Sequence, residues 1–371
     1  MSHEKVDIGH QPPDSTGITN VLYKTKLTRE GTLFKSLKYL AIAAAALPFV
    51  ATANTASAQD LVVAAAGNPG GLAVFVAQEK GFFAKNGVDV KVEIRNTGSE
   101  LSKGLRAGDF DFAPAAFTNL GAALERGLDV RGIVGYVGAA FEKSTSDEVV
   151  ALIAGPKSGI NSVADLKGKK VGVTFGSTGD VWLLQALKQA GLSSNDVDRV
   201  NTRPPGLVSV LDTGGVDAIV GWEPFNFRAL KKVAGSKEIK RGGDLVCFCA
   251  YLHGNPESVY KDEAATQKLV DAMAQAAAYV RDPANKQEVA EIGTRFVNMT
   301  KEEVLAGLDF WVYDPRIGPN TSTAFENANA LLLEQKKMKK PFAAADYLDS
   351  KFIQSTMKRH PEWFADLGGA S

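Results

Sequence analysis

The chain has 371 residues, 45% of them hydrophobic and 23% charged, a globular composition with enough length for two lobes that each bury a core. Disorder is excluded for its bulk. Lys plus Arg and Asp plus Glu balance at 42 each and no basic tract stands out, so nucleic acid is not indicated as a partner.

Residues 1–34 are a polar lead rich in Ser, Thr, Pro and charge, longer than an ordinary leader and consistent with an overextended start; no structure is assigned to them. Residues 39–51 form an apolar run preceded by Lys35 and Lys38 and followed by Ala56-Ser57-Ala58. That order of charge, apolar run and small residues is the pattern of a secretory signal, with cleavage expected before Gln59 and export to the periplasm. A single membrane anchor is the alternative, although the run is shorter than the roughly 20 apolar residues that cross a bilayer. No cysteine directly follows the run, so an N-terminal lipid anchor is not indicated.

From residue 61 short β-branched runs alternate with helical patterns. Strands are expected at 61–65, 88–94, 110–113 and 130–137, with helices at 72–84, 99–107 and 118–126 between them. Such alternation implies a parallel sheet with helices on both faces. Another strand is expected at 148–154. After Gly155-Pro156-Lys157-Ser158-Gly159 the alternation restarts, with strands at 169–174, 197–201 and 218–221 and helices at 180–190 and 207–213.

The Gly242-Gly243 turn and the apolar run 245–251 then offer a return crossing, and helices follow from Pro256, at 264–281, 286–296, 301–310 and 324–337. The expected fold is therefore α/β and two-lobed. Residues 59–154 form the first part of one lobe, 155–244 the second lobe and 245–371 the return, joined by two crossings as in hinge-closing binding proteins.

In open α/β sheets ligands lie outside the carboxyl ends of strands, where helix N-termini present free N–H groups. The first lobe offers Asn68, Gly98, Ser99, Ala116 and Phe117 there, and the second offers Gly176, Ser177, Thr178, Trp222 and Glu223. Gly176 to Gly179 joins a strand directly to a helix. Its glycines let backbone approach an anion, its hydroxyls can donate and the helix dipole favours negative charge; a plain capped turn is the alternative. Trp222 could lay its face on a ligand and Glu223 accept from an ammonium, against a core tryptophan beside a solvated carboxylate. Asp180 and Trp182 flank the loop as a second carboxylate and a wall, with Trp182 equally suited to face the sheet.

Catalytic constellations are scarce: beyond residue 58 only His253 and His360 occur, with no Gly-x-Ser-x-Gly elbow, phosphate loop with lysine or His-x-x-x-His pair. Cys247 and Cys249, two apart in a strand-like run, share a face; a mutual disulfide would be strained, and buried thiols are expected. No enzyme activity, metal or cofactor is indicated.

The run Ile160-Asn161-Ser162-Val163-Ala164-Asp165-Leu166-Lys167-Gly168-Lys169-Lys170-Val171-Gly172-Val173, with Gly176-Ser177-Thr178, Leu183-Leu184-Gln185-Ala186-Leu187, Gly191-Leu192 and Gly215-Val216-Asp217-Ala218 before Trp222-Glu223-Pro224, resembles the taurine, aliphatic sulfonate and nitrate binding-protein family. Val200-Asn201, Pro204-Pro205 and the earlier Glu79-Lys80-Gly81-Phe82-Phe83 extend the resemblance, which covers about 61–352. It implies a type II periplasmic binding fold, a monomer that holds a small molecule between its lobes, and an inner-membrane ABC permease with its ATPase as partners. By position it carries Ser99, Phe117, Ser177, Thr178 and Trp222 into the cleft. The Asn201 to Pro205 segment and the Ser177-Thr178 pair look nearest the taurine branch, with Arg95 or Arg203 as sulfonate clamp. Nitrate, bicarbonate, an aromatic acid or a thiamin-pyrimidine precursor are alternative ligands. Cys247-Phe248-Cys249 is similar to part of the cysteine motif of the pyrimidine synthase branch, so a synthase-like enzyme stays open, as does a sensor built on the same clamp.

Overall fold

The computed structural model describes residues 60–141 and 146–369, all within one unit, Thr55–Ser371. The signal-like segment 1–58 and its cleavage before Gln59 lie outside the described residues. Among the described residues ten strands form two five-stranded sheets. The first contains β1 (Asp60–Ala66), β2 (Asp89–Arg95), β3 (Phe112–Ala116), β4 (Arg131–Val137) and β10 (Ala250–Gly254), in the order β2-β1-β3-β10-β4. The second contains β5 (Val150–Ala154), β6 (Lys170–Val173), β7 (Asp198–Asn201), β8 (Ala218–Trp222) and β9 (Lys237–Arg241), in the order β7-β6-β8-β5-β9.

Each sheet is built alike. Three strands run parallel, β2-β1-β3 in one and β7-β6-β8 in the other, and an antiparallel strand follows, β10 or β5. One expected boundary is corrected. β5 was expected to close the first lobe's segment 59–154, yet it pairs with β8 and β9, so the chain changes sheets before Val150. Leu245 to Cys249 span the return crossing, and the return strand β10 begins at Ala250.

Helices between the parallel strands follow the expected alternation: α1 (Leu72–Glu79), α2 (Phe82–Lys85), α3 (Gly98–Ala107), α4 (Phe117–Glu125), α5 (Thr178–Gln189), α6 (Leu207–Asp212) and α7 (Phe225–Lys232). The helix expected at 72–84 is broken into α1 and α2 by Gly81, whose φ of 67° is the left-handed conformation that favours glycine. β9 was not anticipated. Its sequence Lys-Glu-Ile-Lys-Arg reads as a loop, but charge is what keeps an edge strand from pairing with other chains.

Six more helices follow β10: α8 (Pro256–Tyr260), α9 (Glu263–Arg281), α10 (Lys286–Phe296), α11 (Lys301–Leu308), α12 (Pro319–Glu334) and α13 (Lys351–Arg359). The Ala-rich α9 lies against α1, where fully buried Leu269, Val270 and Met273 share a core with Phe75 and Val76. α12 lies against α4, which carries residues 319–340 onto the first lobe. α11 reaches α7 in the second, and the Arg228–Glu303 pair (2.7 Å) fastens that contact. The sulfurs of Cys247 and Cys249 are in bonding contact, with Cα atoms 5.1 Å apart, where separate buried thiols were expected. Among the described residues no helix is long and apolar enough to cross a membrane, and no cluster of three metal-ligating side chains occurs.

Candidate functional site

A cavity of about 770 Å³ opens between the sheets at the carboxyl ends of their parallel strands. Of the residues expected there, the first lobe supplies Asn68 after β1, Gly98 and Ser99 at the start of α3, and Ala116 at the end of β3. The second supplies Gly176, Ser177, Thr178 and Asp180 after β6, and Trp222 at the end of β8. Strand ends and helix N-termini therefore meet in one space, the arrangement that leaves backbone N–H groups facing a ligand.

The loop after β6 is wired internally. Gly176 has φ 73°, a turn that a side chain would strain. Ser177 accepts the Asp180 N–H (3.2 Å) as N-cap of α5, and the Asp180 carboxylate accepts the Gly176 N–H (2.9 Å). Asp180 is 1% exposed and binds Arg199 (2.6 Å) and Lys337 (2.7 Å). It lines the cavity with its charge already matched, so it is not a spare carboxylate for an ammonium.

The same loop touches the opposite lobe. Thr178 Oγ1 and Thr118 Oγ1 share a buried hydrogen bond of 2.7 Å, and Asn119 Nδ2 donates to the Gly176 carbonyl. Gly98 makes room for that asparagine, since a Cβ there would stand 2.8 Å from Asn119 Oδ1. Lys337, just beyond α12, adds a charged tie from the first lobe to Asp180. The two lobes thus meet over the cavity through side chains whose polar atoms are partnered.

Three expected residues lie elsewhere. Phe117, 2% exposed, begins α4 with its ring stacked on Tyr251 (5.1 Å between centroids) and edge-on to Phe325 (5.1 Å). Trp182 is fully buried one helical turn behind the loop and donates to the Gly242 carbonyl (3.0 Å), so it braces the return crossing. Glu223, 1% exposed, lies in the turn just past the end of β8 and does not line the cavity. It pairs with Arg241 (2.8 Å) and accepts the Phe227 N–H (3.1 Å). Burial raises its carboxyl pKa against the opposing pull of Arg241. Of the two expected clamps, Arg95 lines the cavity while bound to Glu93 (2.8 Å) and resting over Phe110, whereas exposed Arg203 lies 3.6 Å from Glu100 outside it.

The sequence reading missed most of the rest of the wall. Among the described residues six basic side chains line the cavity, the expected Arg95 together with Lys103, Arg106, Arg126, Arg199 and Lys337, against the one carboxylate of Asp180, so this wall is electropositive. An aromatic corner closes it: Phe248 stands edge-on to Trp311 (5.1 Å, 88°) and tilted against Trp222 (6.2 Å, 55°). The indole Nε1 of Trp222, the indole Nε1 of Trp311 and Ser102 Oγ are buried without a hydrogen-bond partner, and all three residues line the cavity. Buried donors left unpaired are rare in folded proteins and mark places where something else completes the bond.

A family model described as NMT1/THI5 like matches residues 68–286. The chain is 30% identical over 251 residues to the nitrate/nitrite binding protein NrtA of Synechococcus elongatus, covering 59% of this chain and 54% of that protein. It is 28% identical over 204 residues to a 4-amino-5-hydroxymethyl-2-methylpyrimidine phosphate synthase of Uromyces fabae, covering 52% of this chain and 57% of that one. Among solved structures it superposes on the periplasmic aliphatic sulphonate binding protein SsuA of Escherichia coli with a TM-score of 0.66 at 20% identity, over 78% of this chain and 97% of that one. The α/β fold of two lobes is that of periplasmic solute-binding proteins.

Proposed function

Because the chain belongs to the NMT1/THI5-like family, we propose that it is the solute-binding component of an ABC importer, capturing a small anion between its lobes outside the inner membrane and delivering it to a permease and ATPase. The observation that carries this reading is the electropositive cavity shared by both lobes, with six basic side chains against one carboxylate. A solute that touches both walls stabilises the closed arrangement in proportion to its preference for it, which is the whole mechanism a receptor needs. Thr118 and Thr178 set how closely the lobes approach.

The enzyme alternative, which the synthase relative raises, has little local support. His253 is fully buried in β10, and His360 lies beyond α13, so neither imidazole lines the cavity. An ammonium-bearing ligand such as taurine would need a carboxylate, and Asp180 and Glu223 are both committed to arginine or lysine. A ligand that is anionic only therefore fits better than a zwitterion.

The test is a thermal-unfolding panel on the protein with alkanesulfonates, taurine, nitrate, bicarbonate, aromatic acids and aminopyrimidines. A true ligand at about 100 times its dissociation constant adds about 2.7 kcal/mol of stability. Stabilisation by at least one anion is expected; stabilisation by neutral aminopyrimidines and by no anion would contradict the reading.

A further inference from the structure

Resting on that binding function, we propose that the solute is a planar aromatic monoanion, its ring seated in the Trp222–Phe248–Trp311 corner and its charge turned toward the basic wall. Four observations converge on it. A cavity of about 770 Å³ lies in the range that encloses drug-sized molecules, far more than nitrate or bicarbonate would fill. Its one aromatic corner is built from three elements distant in sequence, β8, the return crossing and the segment after α11, and the Phe248 ring meets its neighbours edge-on and tilted. Aromatic groups prefer such edge and offset contacts, so a ligand ring can complete the cluster without displacing any member.

The third observation is the pair of unpaired indole N–H groups, each on a residue 7% exposed. Neither N–H is open to the cavity as it stands, so a ligand that seats against these rings and shifts them supplies the acceptor, an oxygen on its ring or on its acidic substituent. Tyr136, also in the wall, accepts the Ala66 N–H (3.0 Å) at its hydroxyl and so keeps its own proton to donate. The fourth is charge. With Asp180 already matched, Lys103, Arg106 and Arg126 leave an excess of positive charge that an uncompensated anion satisfies and a zwitterion or a neutral heterocycle does not.

The experiment is calorimetric titration of the protein with matched pairs, benzenesulfonate against methanesulfonate and benzoate against acetate, with benzyl alcohol as the neutral ring. The aromatic member of at least one pair is expected to bind about tenfold tighter or more, a single desolvated ring contact plus its buried area being worth that much. Trp311→Leu should weaken benzenesulfonate about tenfold and leave methanesulfonate nearly unchanged. Phe248→Leu gives an independent reading should Trp311→Leu fail to fold. Equal affinity for the aromatic and aliphatic members, or benzyl alcohol binding as tightly as benzoate, overturns the inference while leaving anion binding intact. Absence of binding by every anion overturns both.

Discussion

Asp180→Ala is expected to cost the protein about 3 kcal/mol of stability. Its carboxylate, 1% exposed, joins four parts of the structure: the Gly176 turn, the start of α5, Arg199 on β7 and Lys337 from the first lobe. Removing one partner of a buried ion pair typically costs 3–5 kcal/mol, because charges are left without compensation. Here the lower end applies, since Arg199 and Lys337 are each 24% exposed and can recover water. Lys337→Ala removes only the cross-lobe tie and should cost under about 1 kcal/mol. Urea unfolding of both variants checks this; equal losses would show that Asp180 acts mainly through Lys337.

Acid is expected to destabilise the fold through His253 by about 2.5 kcal/mol between pH 8 and pH 4.5. The imidazole is fully buried on β10, between β3 and β4 of the first sheet, with Nδ1 2.6 Å from the Tyr251 carbonyl and Nε2 unpartnered. Burial lowers its pKa from 6.5 to about 4, since a proton on Nε2 would find nothing to receive it. The unfolded chain protonates near 6.5 while the folded chain resists until about 4. Stability is therefore full above 6.5 and falls as pH drops toward 4, at 1.36 kcal/mol per unit of separation. Glu223 works in the opposite sense, because its raised pKa makes protonation favour the folded form. Comparison with His253→Asn, whose amide can still donate to Tyr251, isolates the histidine: the variant should lose most of this pH dependence, and an unchanged slope would refute the assignment.

Much of this fold was legible because its elements obey local rules. The alternation of β-branched runs with helical patterns located the parallel strands of both lobes, and the strand-end rule located Asn68, Gly98, Ser99, Ala116, the Gly176 to Thr178 loop and Trp222 at the cavity. The misses have a common physical origin. Phe117, Trp182 and Glu223 each sit close along the chain to a cavity residue, but the first two are packed in the core and Glu223 is paired with Arg241. A rule that names a strand end does not say which of two neighbours faces inward.

The remaining walls came from far along the chain. Trp311, Lys337 and Phe248 are brought to the cavity by the return crossing and the C-terminal helices, and no short motif ties them to Trp222. In the sequence Trp311 and Lys337 are only an aromatic and a cation, and Phe248 is only the middle of Cys247-Phe248-Cys249. The assignment of 148–154 to the first lobe failed for a related reason: a fully apolar strand does not announce its sheet, and only pairing with β8 and β9 does so.

The most direct test of the account is a crystal structure of the protein with the tightest anion from the panel, with the bound compound recovered from the crystals and identified by mass. The account predicts the anion unaltered between the lobes, its charged group within about 3 Å of donors on the cavity wall and its body against Trp222 and Trp311. A ligand bound outside the cavity, or recovery of a chemically changed product, would contradict it.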